Sequence, residues 1–140
     1  MIGCIYFIEY GYIAGIGMDR EVITCKELFG TCKNTQELNC KISGMNHILL
    51  IDIRSHAQYQ VAHIPGAVNI SKENLEIKLQ SMSAGSKRYD IIIYCSSGVD
   101  SIYMTSKLRR KGYRARSLLG GFSAYEKYVS NFAKTSHLFD

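Results

Sequence analysis

The chain has no tryptophan and a single proline, Pro65, among 140 residues. It has no Cys-x-x-Cys pair, although it carries five cysteines, Cys4, Cys25, Cys32, Cys40 and Cys95. The missing spacing excludes zinc-ribbon and dithiol redox motifs. An odd number of thiols without a disulfide framework points to a reducing compartment, so the expected setting is cytoplasmic and most of the thiols are packing filler. No His, Cys or Asp cluster has the spacing of metal ligands, and neither a metal nor a cofactor is expected. Internal repeats and low-complexity runs are also missing, which excludes solenoids and disordered linkers.

Acidic residues are the scarcer sign, 12 against 17 basic, for a net charge of +5. Six of the 17 basic residues fall within ten positions, Lys107, Arg109, Arg110, Lys111, Arg114 and Arg116. Without a nucleic-acid motif beside them they read as a solvated helix end, where cations complement the dipole. Nucleic acid is not an expected partner; a weaker role in drawing small anions stays open. Long apolar runs are rare. The first, MIGCIYFIEYGYIAGIGM, lacks the basic start of a signal peptide, and Glu9 interrupts it as a membrane span. It is a hairpin or strand, a weak membrane or targeting element, or a stretch upstream of a functional start at Met18. The preferred reading is a non-catalytic extension over residues 1–20 ahead of one domain over 21–140, with membrane attachment not expected.

What is present suits an ordinary soluble domain, 46% hydrophobic and 21% charged. A domain of this length buries roughly two thirds of its unfolded surface without staples. Val22 and Ile23 read as a short strand, with Thr24 capping a helix through Glu27 and Leu28. The polar stretch Asn34 to Asn46 reads as a connection. HILLIDIR, His47 to Arg54, is nearly all apolar, the pattern of a strand buried on both faces. A short helix over Ser55 to Gln60 and a strand at Ala67 to Ile70 follow. Ser71 is placed to cap a helix through Leu75 and Leu79. Ile91 to Tyr94 is a further buried strand. A helix with Met104 and Leu108 inward then ends at Gly112. After a strand at Ala115 to Leu118, Gly120 and Gly121 open a last helix with Phe122, Tyr125 and Val129 on one face. Strands alternating with helices predict an α/β fold with a parallel sheet. Ligands in such sheets collect at the carboxyl ends of the strands.

Cys95 stands at such an end, in DIIIYCSSGVDS. Its loop, Ser96, Ser97, Gly98, Val99, Asp100 and Ser101, is small and leads into a helix. Gly98 can take a positive φ there. A ring of N–H groups around the sulfur, with the helix N-terminus behind it, favours an anion, whether thiolate, persulfide or bound oxyanion. Ser96, Ser97 and Ser101 add hydroxyl donors.

Three segments in order resemble the rhodanese-like domain family. LLIDIRSHAQYQVAHIPGAVNIS is similar to its first motif, CSSGVDS to its active-site loop, and GYRARSLLGGFSAY to its closing motif. The resemblance runs from about Val22 to Val129. It implies a three-layer α/β fold, a mostly parallel five-stranded sheet with helices on both faces. It also implies a sulfurtransferase or persulfide carrier in which Cys95 takes sulfane sulfur from a donor such as thiosulfate. The sulfur then passes to cyanide, to a thiol, or to a sulfur-carrier protein. Asp52 and Arg54 are read as a pair orienting the neighbouring loop by a charge-assisted hydrogen bond. His63 is read as a turn-stabilising residue rather than a general base.

The chain departs from the family where an arginine often follows the loop glycine by two positions and Asp100 stands instead. Gln58 replaces the usual acid, Ala62 the glycine before His63, and Tyr125 the customary tryptophan. If Asp100 faces the cradle, the charge swap costs an anion on the order of 2 kcal/mol and pushes the Cys95 thiol up. If it faces away, it complements its own helix N-terminus. A non-enzymatic rhodanese-like interaction or regulatory module is the alternative function. A cysteine phosphatase or arsenate reductase is disfavoured, because the arginine position of a Cys-x5-Arg cradle is Ser101.

Overall fold

The computed structural model of the chain describes residues 20–82 and 86–138. The expectations for the first 19 residues, Met18 included, lie outside the described residues. In chain order the elements are β1 (Val22–Ile23), α1 (Cys25–Phe29), α2 (Thr35–Ser43), β2 (Ile48–Asp52), α3 (His56–Val61), β3 (Val68–Asn69), α4 (Leu75–Ser81), β4 (Asp90–Tyr94), α5 (Val99–Arg110), β5 (Arg114–Leu118) and α6 (Gly121–Leu138). A short 3-10 turn, Ser86–Arg88, precedes β4. Among the described residues no helix is long and apolar enough to cross a membrane.

The five strands pair in the order β1-β5-β4-β2-β3, and all four pairings are parallel. The anticipated α/β architecture is present, with helices on both faces. Alternation along the central strand sorts its side chains. Ile92 and Tyr94 join a cluster with Phe29, Leu38 and Tyr125, contributed by α1, α2 and α6. Ile91, Ile93 and Cys95 join the opposite cluster with Leu75, Leu79, Met104 and Leu108, contributed by α4 and α5. Ile91, Ile92, Ile93 and Tyr94 are fully buried. Each such side chain is worth about 1.5–3 kcal/mol of transfer free energy, which is why β4 holds the centre.

This topology places a crevice. From β2 the chain moves outward to β3, and from β4 it moves outward the other way, to β5. The adjacent carboxyl ends of β2 and β4 therefore flank a topological switch point, where open α/β sheets bind ligands.

Local signals set most boundaries. Thr24 and Glu27 form a capping box at α1, and Ser55 and Gln58 another at α3. At the end of α5, Gly112 N donates to Arg109 O and Tyr113 N to Leu108 O, a Schellman ending. Two expectations are corrected. The stretch Asn34 to Asn46 is not a mere connection but carries α2: Asn34 Oδ1 accepts from Glu37 N at 2.9 Å and caps it. Leu38, at 1% exposure, and the partly buried Ile42 one turn on dock a helix that is otherwise mostly polar. Ser71 does not cap α4. Its carbonyl accepts from Asn74 N in a turn, and the helix starts after Asn74, three residues later than the cap was expected.

Candidate functional site

The site begins where β4 stops. Past Tyr94 the chain turns through Cys95–Gly98 into the twelve-residue helix α5. The turn is held from behind by the start of α6: Phe122 N donates to Cys95 O at 2.8 Å and Ser123 N to Ser96 O at 3.1 Å. This approach requires glycine at 121. A Cβ there would lie 2.4 Å from Cys95 O, and φ is +60°. Gly98 takes φ +100° and backs onto Gly120 N, so the loop bends around the sulfur rather than away from it.

The thiol is 7% exposed. Gly98 N donates to Cys95 Sγ at 3.1 Å, and Ser101 Oγ lies 3.6 Å from the sulfur on its inner side. Burial pushes the thiol up, but hydrogen bonds from the Ser101 hydroxyl and from the N–H groups of Ser101, Gly98 and Ser97 outweigh it. Together they hold Cys95 below the ordinary cysteine value. The contrast with Cys25 is instructive. It sits in the core without such donors, and burial alone pushes it up to about 11. Cys32 donates to Phe29 O at 3.4 Å, and Cys40 is exposed.

A cleft of about 240 Å³ opens over the sulfur. Its β4 side is formed by Cys95, Ser96, Ser97, Val99 and Asp100, and its β2 side by Arg54, Ser55 and Gln58, among others. Gly98, whose N–H donates to the sulfur, and Ser101, whose hydroxyl lies 3.6 Å from it, complete the loop beneath it. A larger open groove of about 690 Å³ lies beside α1 and α2, bordered by Phe29, Cys32 and Cys40. None of the residues bordering it belongs to the Cys95 loop, and the smaller cleft, which Cys95 lines, is the candidate site.

Asp52 and Arg54 are built as a positioning pair. Arg54 Nη2 donates to Asp52 Oδ2 at 2.7 Å, Nε bridges both carboxylate oxygens at 3.1 Å, and Nη2 also donates to Ala62 O at 2.6 Å. The guanidinium lies 4.1 Å from the centre of the Phe122 ring. One side chain thus joins the end of β2, the loop before Pro65 and the start of α6. His63 stacks on Tyr59 with centroids 3.8 Å apart, and its Nδ1 meets Tyr59 O at 2.9 Å. It is not among the residues that line the cleft. Tyr125 occupies its core position edge-on to Phe29.

Asp100 lines the cleft mouth with its side chain 59% exposed and directed to Lys72 Nζ at 3.5 Å. The cost anticipated for an anion is therefore reduced by solvent and by a countercharge. Two residues with contacts next to the candidate site were not singled out from the sequence. The Tyr94 hydroxyl accepts from Ile64 N at 3.1 Å and ties β4 to the loop before Pro65. Ser117 lies behind Ser101 at 2.6 Å. The available signal for Ser117 was a polar residue at an inward position of β5, two after Ala115.

Comparisons with known proteins place the chain in a family. Residues 34–128 match the family model of the Rhodanese-like domain. A protein of Allochromatium vinosum named sulfurtransferase is 30% identical over 96 residues, which cover 68% of this chain and 87% of that protein. A tRNA sulfurtransferase of Desulfurococcus amylolyticus is 30% identical over 77 residues, 55% of this chain but 14% of its own length. A tRNA uridine(34) hydroxylase of Buchnera aphidicola is 25% identical, covering 79% of this chain and 38% of that protein. The same unit therefore occurs within larger relatives of differing names. Among solved structures, a rhodanese-like domain protein from Staphylococcus aureus superposes with TM-score 0.56 at 24% identity, over 76% of this chain and 91% of that one.

Proposed function

Because the chain belongs to the rhodanese-like domain family, we propose that it is a sulfurtransferase or persulfide carrier with Cys95 as its nucleophile. The observation that carries the reading is the cradle: a thiol held below its ordinary value by convergent donors, under a cleft at the switch point of the sheet. The Cys95 thiolate attacks the outer sulfur of a sulfane donor such as thiosulfate. The new bond joins Cys95 Sγ to that sulfur, the old sulfur–sulfur bond breaks, and sulfite leaves with the bonding electron pair. The persulfide then carries the negative charge. An acceptor thiolate or cyanide attacks the outer sulfur and regenerates the Cys95 thiolate. Two half-reactions sharing one covalent intermediate give ping-pong kinetics.

Gly98, Ser97 and Ser101 hold the sulfur anion, Ser96 and Val99 form the rim with them, and Asp52, Arg54 and His63 position the surrounding loops. The acceptor is a small thiol or a sulfur-carrier protein, and the free thiols suit a cytoplasmic setting. One feature favours the second reading, a non-enzymatic interaction module. Val99, Ile102 and Tyr103 are 72%, 44% and 65% exposed at helical spacing beside the cleft. Exposure of the protein to thiosulfate followed by peptide mass analysis separates the two. An adduct of one sulfur atom on the Cys95 peptide is expected; its absence from a folded, reduced protein supports the module.

The departure at Asp100 yields a quantitative expectation. Asp100→Arg should raise kcat/KM for thiosulfate several-fold at low ionic strength, because it places a cation at the mouth where a dianion enters. The gain should fall toward unity in high salt, since the position is exposed. An uncharged donor should gain little. Steady-state kinetics with both donors at two salt concentrations check this, and an unchanged thiosulfate rate at low salt would exclude Asp100 from donor selection.

A further inference from the structure

On the inner face of the sheet, behind the sulfur, stands a pair of buried hydroxyls. Ser117 Oγ and Ser101 Oγ are 2.6 Å apart, Ser101 Oγ is 3.6 Å from Cys95 Sγ, and both serines are 0% exposed. We infer that Ser117 is a positioning residue of the site, which acts on the Cys95 anion only through Ser101, by fixing the direction of the Ser101 hydroxyl. The inference rests on the reading of Cys95 as the nucleophile.

Each hydroxyl has one donor proton and two acceptor lone pairs. When the sulfur is an anion, Ser101 must donate to it. Its contact with Ser117 then requires Ser117 to donate to Ser101. When the sulfur is protonated, S–H is directed at Ser101, and the Ser101 proton turns to Ser117. The pair of hydroxyls lets Ser101 serve either state of the sulfur without moving a heavy atom. The line nevertheless favours the anion: a hydrogen bond to a charge is roughly twice as strong as a neutral one, and a second donor polarises the first. The backbone holds Ser117 for this. Its N–H donates to Glu21 O at 2.7 Å, and pairing with β1 and β4 fixes the strand on both sides.

The charged groups around the sulfur do not take part in this line. Arg54, at the end of β2, is engaged by Asp52. Asp100, on α5, is paired with Lys72. Tyr113 belongs to the buried cluster that contains Cys95, and Tyr89 packs against it. β5 adds Ala115 and Ser117 on this face, neither of them titratable. A change at Ser117 therefore reaches the thiol through Ser101 or through packing, and these two routes are separable.

The test is a pH titration of Cys95 alkylation, read on the Cys95 peptide by mass analysis so that the other thiols do not interfere. It needs no sulfur donor, so its failure is distinct from failure of the sulfurtransferase reading, which is judged by the persulfide adduct. Ser117→Ala should raise the Cys95 pKa by about 0.5 to 1, slowing alkylation near neutral pH about three- to tenfold. Ser117→Thr, which keeps the hydroxyl, should restore the wild-type profile. In a Ser101→Ala background, which itself raises the pKa, the further change Ser117→Ala should have no effect. An unchanged pKa in Ser117→Ala would overturn the inference. So would an equal shift with and without Ser101, because that result assigns the effect to packing. If Ser117→Ala does not fold, Ser117→Thr titrating like wild type upholds the requirement for a hydroxyl, and a raised pKa in that variant counts against it.

Discussion

Cys95→Ser should lose sulfur transfer by on the order of 10³-fold or more, as expected when a covalent nucleophile is removed. Serine offers the same cradle an oxygen whose proton is not released near neutral pH, and an oxygen cannot carry the transferred sulfur as a persulfide. Serine substitutions at Cys4, Cys25, Cys32 and Cys40 should keep transfer within about twofold. The distinction is physical rather than positional: among the described residues only the Cys95 sulfur receives loop N–H groups and a hydroxyl, whereas burial pushes Cys25 up to about 11. The pH dependence has a defined sign. The folded thiol titrates below the unfolded one, so the anion contributes stability that is fully present above the unfolded value of about 8.5 and is lost as pH falls through the folded value. The stability difference between wild type and Cys95→Ser should therefore widen as pH rises from about 6 to about 9. Transfer assays with thiosulfate and urea unfolding at several pH values check both parts. Full activity in Cys95→Ser, or loss in the Cys25 or Cys40 variant without unfolding, would remove Cys95 from its role.

Much of this site was legible because its local signals and its global position agree. The buried run Ile91 to Tyr94 marked a central strand, and a cysteine with a small-residue loop at its end marked the candidate site. Gly98 was legible for the same reason, since a loop that doubles back into a helix needs a residue with φ above zero. The helix α2 was not, because only the pair Leu38 and Ile42 docks a mostly polar nine-residue segment, too short a pattern to stand out. The direction of Asp100 was also hidden. Its partner Lys72 is 28 residues away, and a sequence does not show which of two charges near a cleft faces the ligand. Ser117 was hidden for a third reason. A serine in a strand is ordinary, and only the parallel register beside β4 brings it up behind the loop that holds the thiol.

Arg54→Met should be the most destabilising single change near the site, at about 3–5 kcal/mol. That is a large share of the ~5–15 kcal/mol that holds a typical domain. The Asp52 side chain is 0% exposed and that of Arg54 6%, so removing the guanidinium strands a carboxylate in the interior. The substitution also takes a donor from Ala62 O and a cation from the Phe122 face. Arg54→Lys keeps the charge but not the fork, which serves Asp52 and Ala62 at once, and should fall between the two. Adding Asp52→Asn to Arg54→Met removes the stranded charge and should recover part of the loss. Urea unfolding of the four proteins measures the series; a cost below about 1 kcal/mol for Arg54→Met would show that water reaches Asp52 in that variant. Transfer activity then decides what kind of residue Arg54 is. The N–H groups that hold the sulfur come from the loop itself and are braced by α6. Folded Arg54→Lys should therefore keep most of its rate and a near-normal Cys95 titration. If it keeps its stability yet loses transfer with a raised KM for thiosulfate, the guanidinium contacts the donor directly. Arg54 would then be a substrate-binding residue, and its bond to Asp52 would serve to aim it.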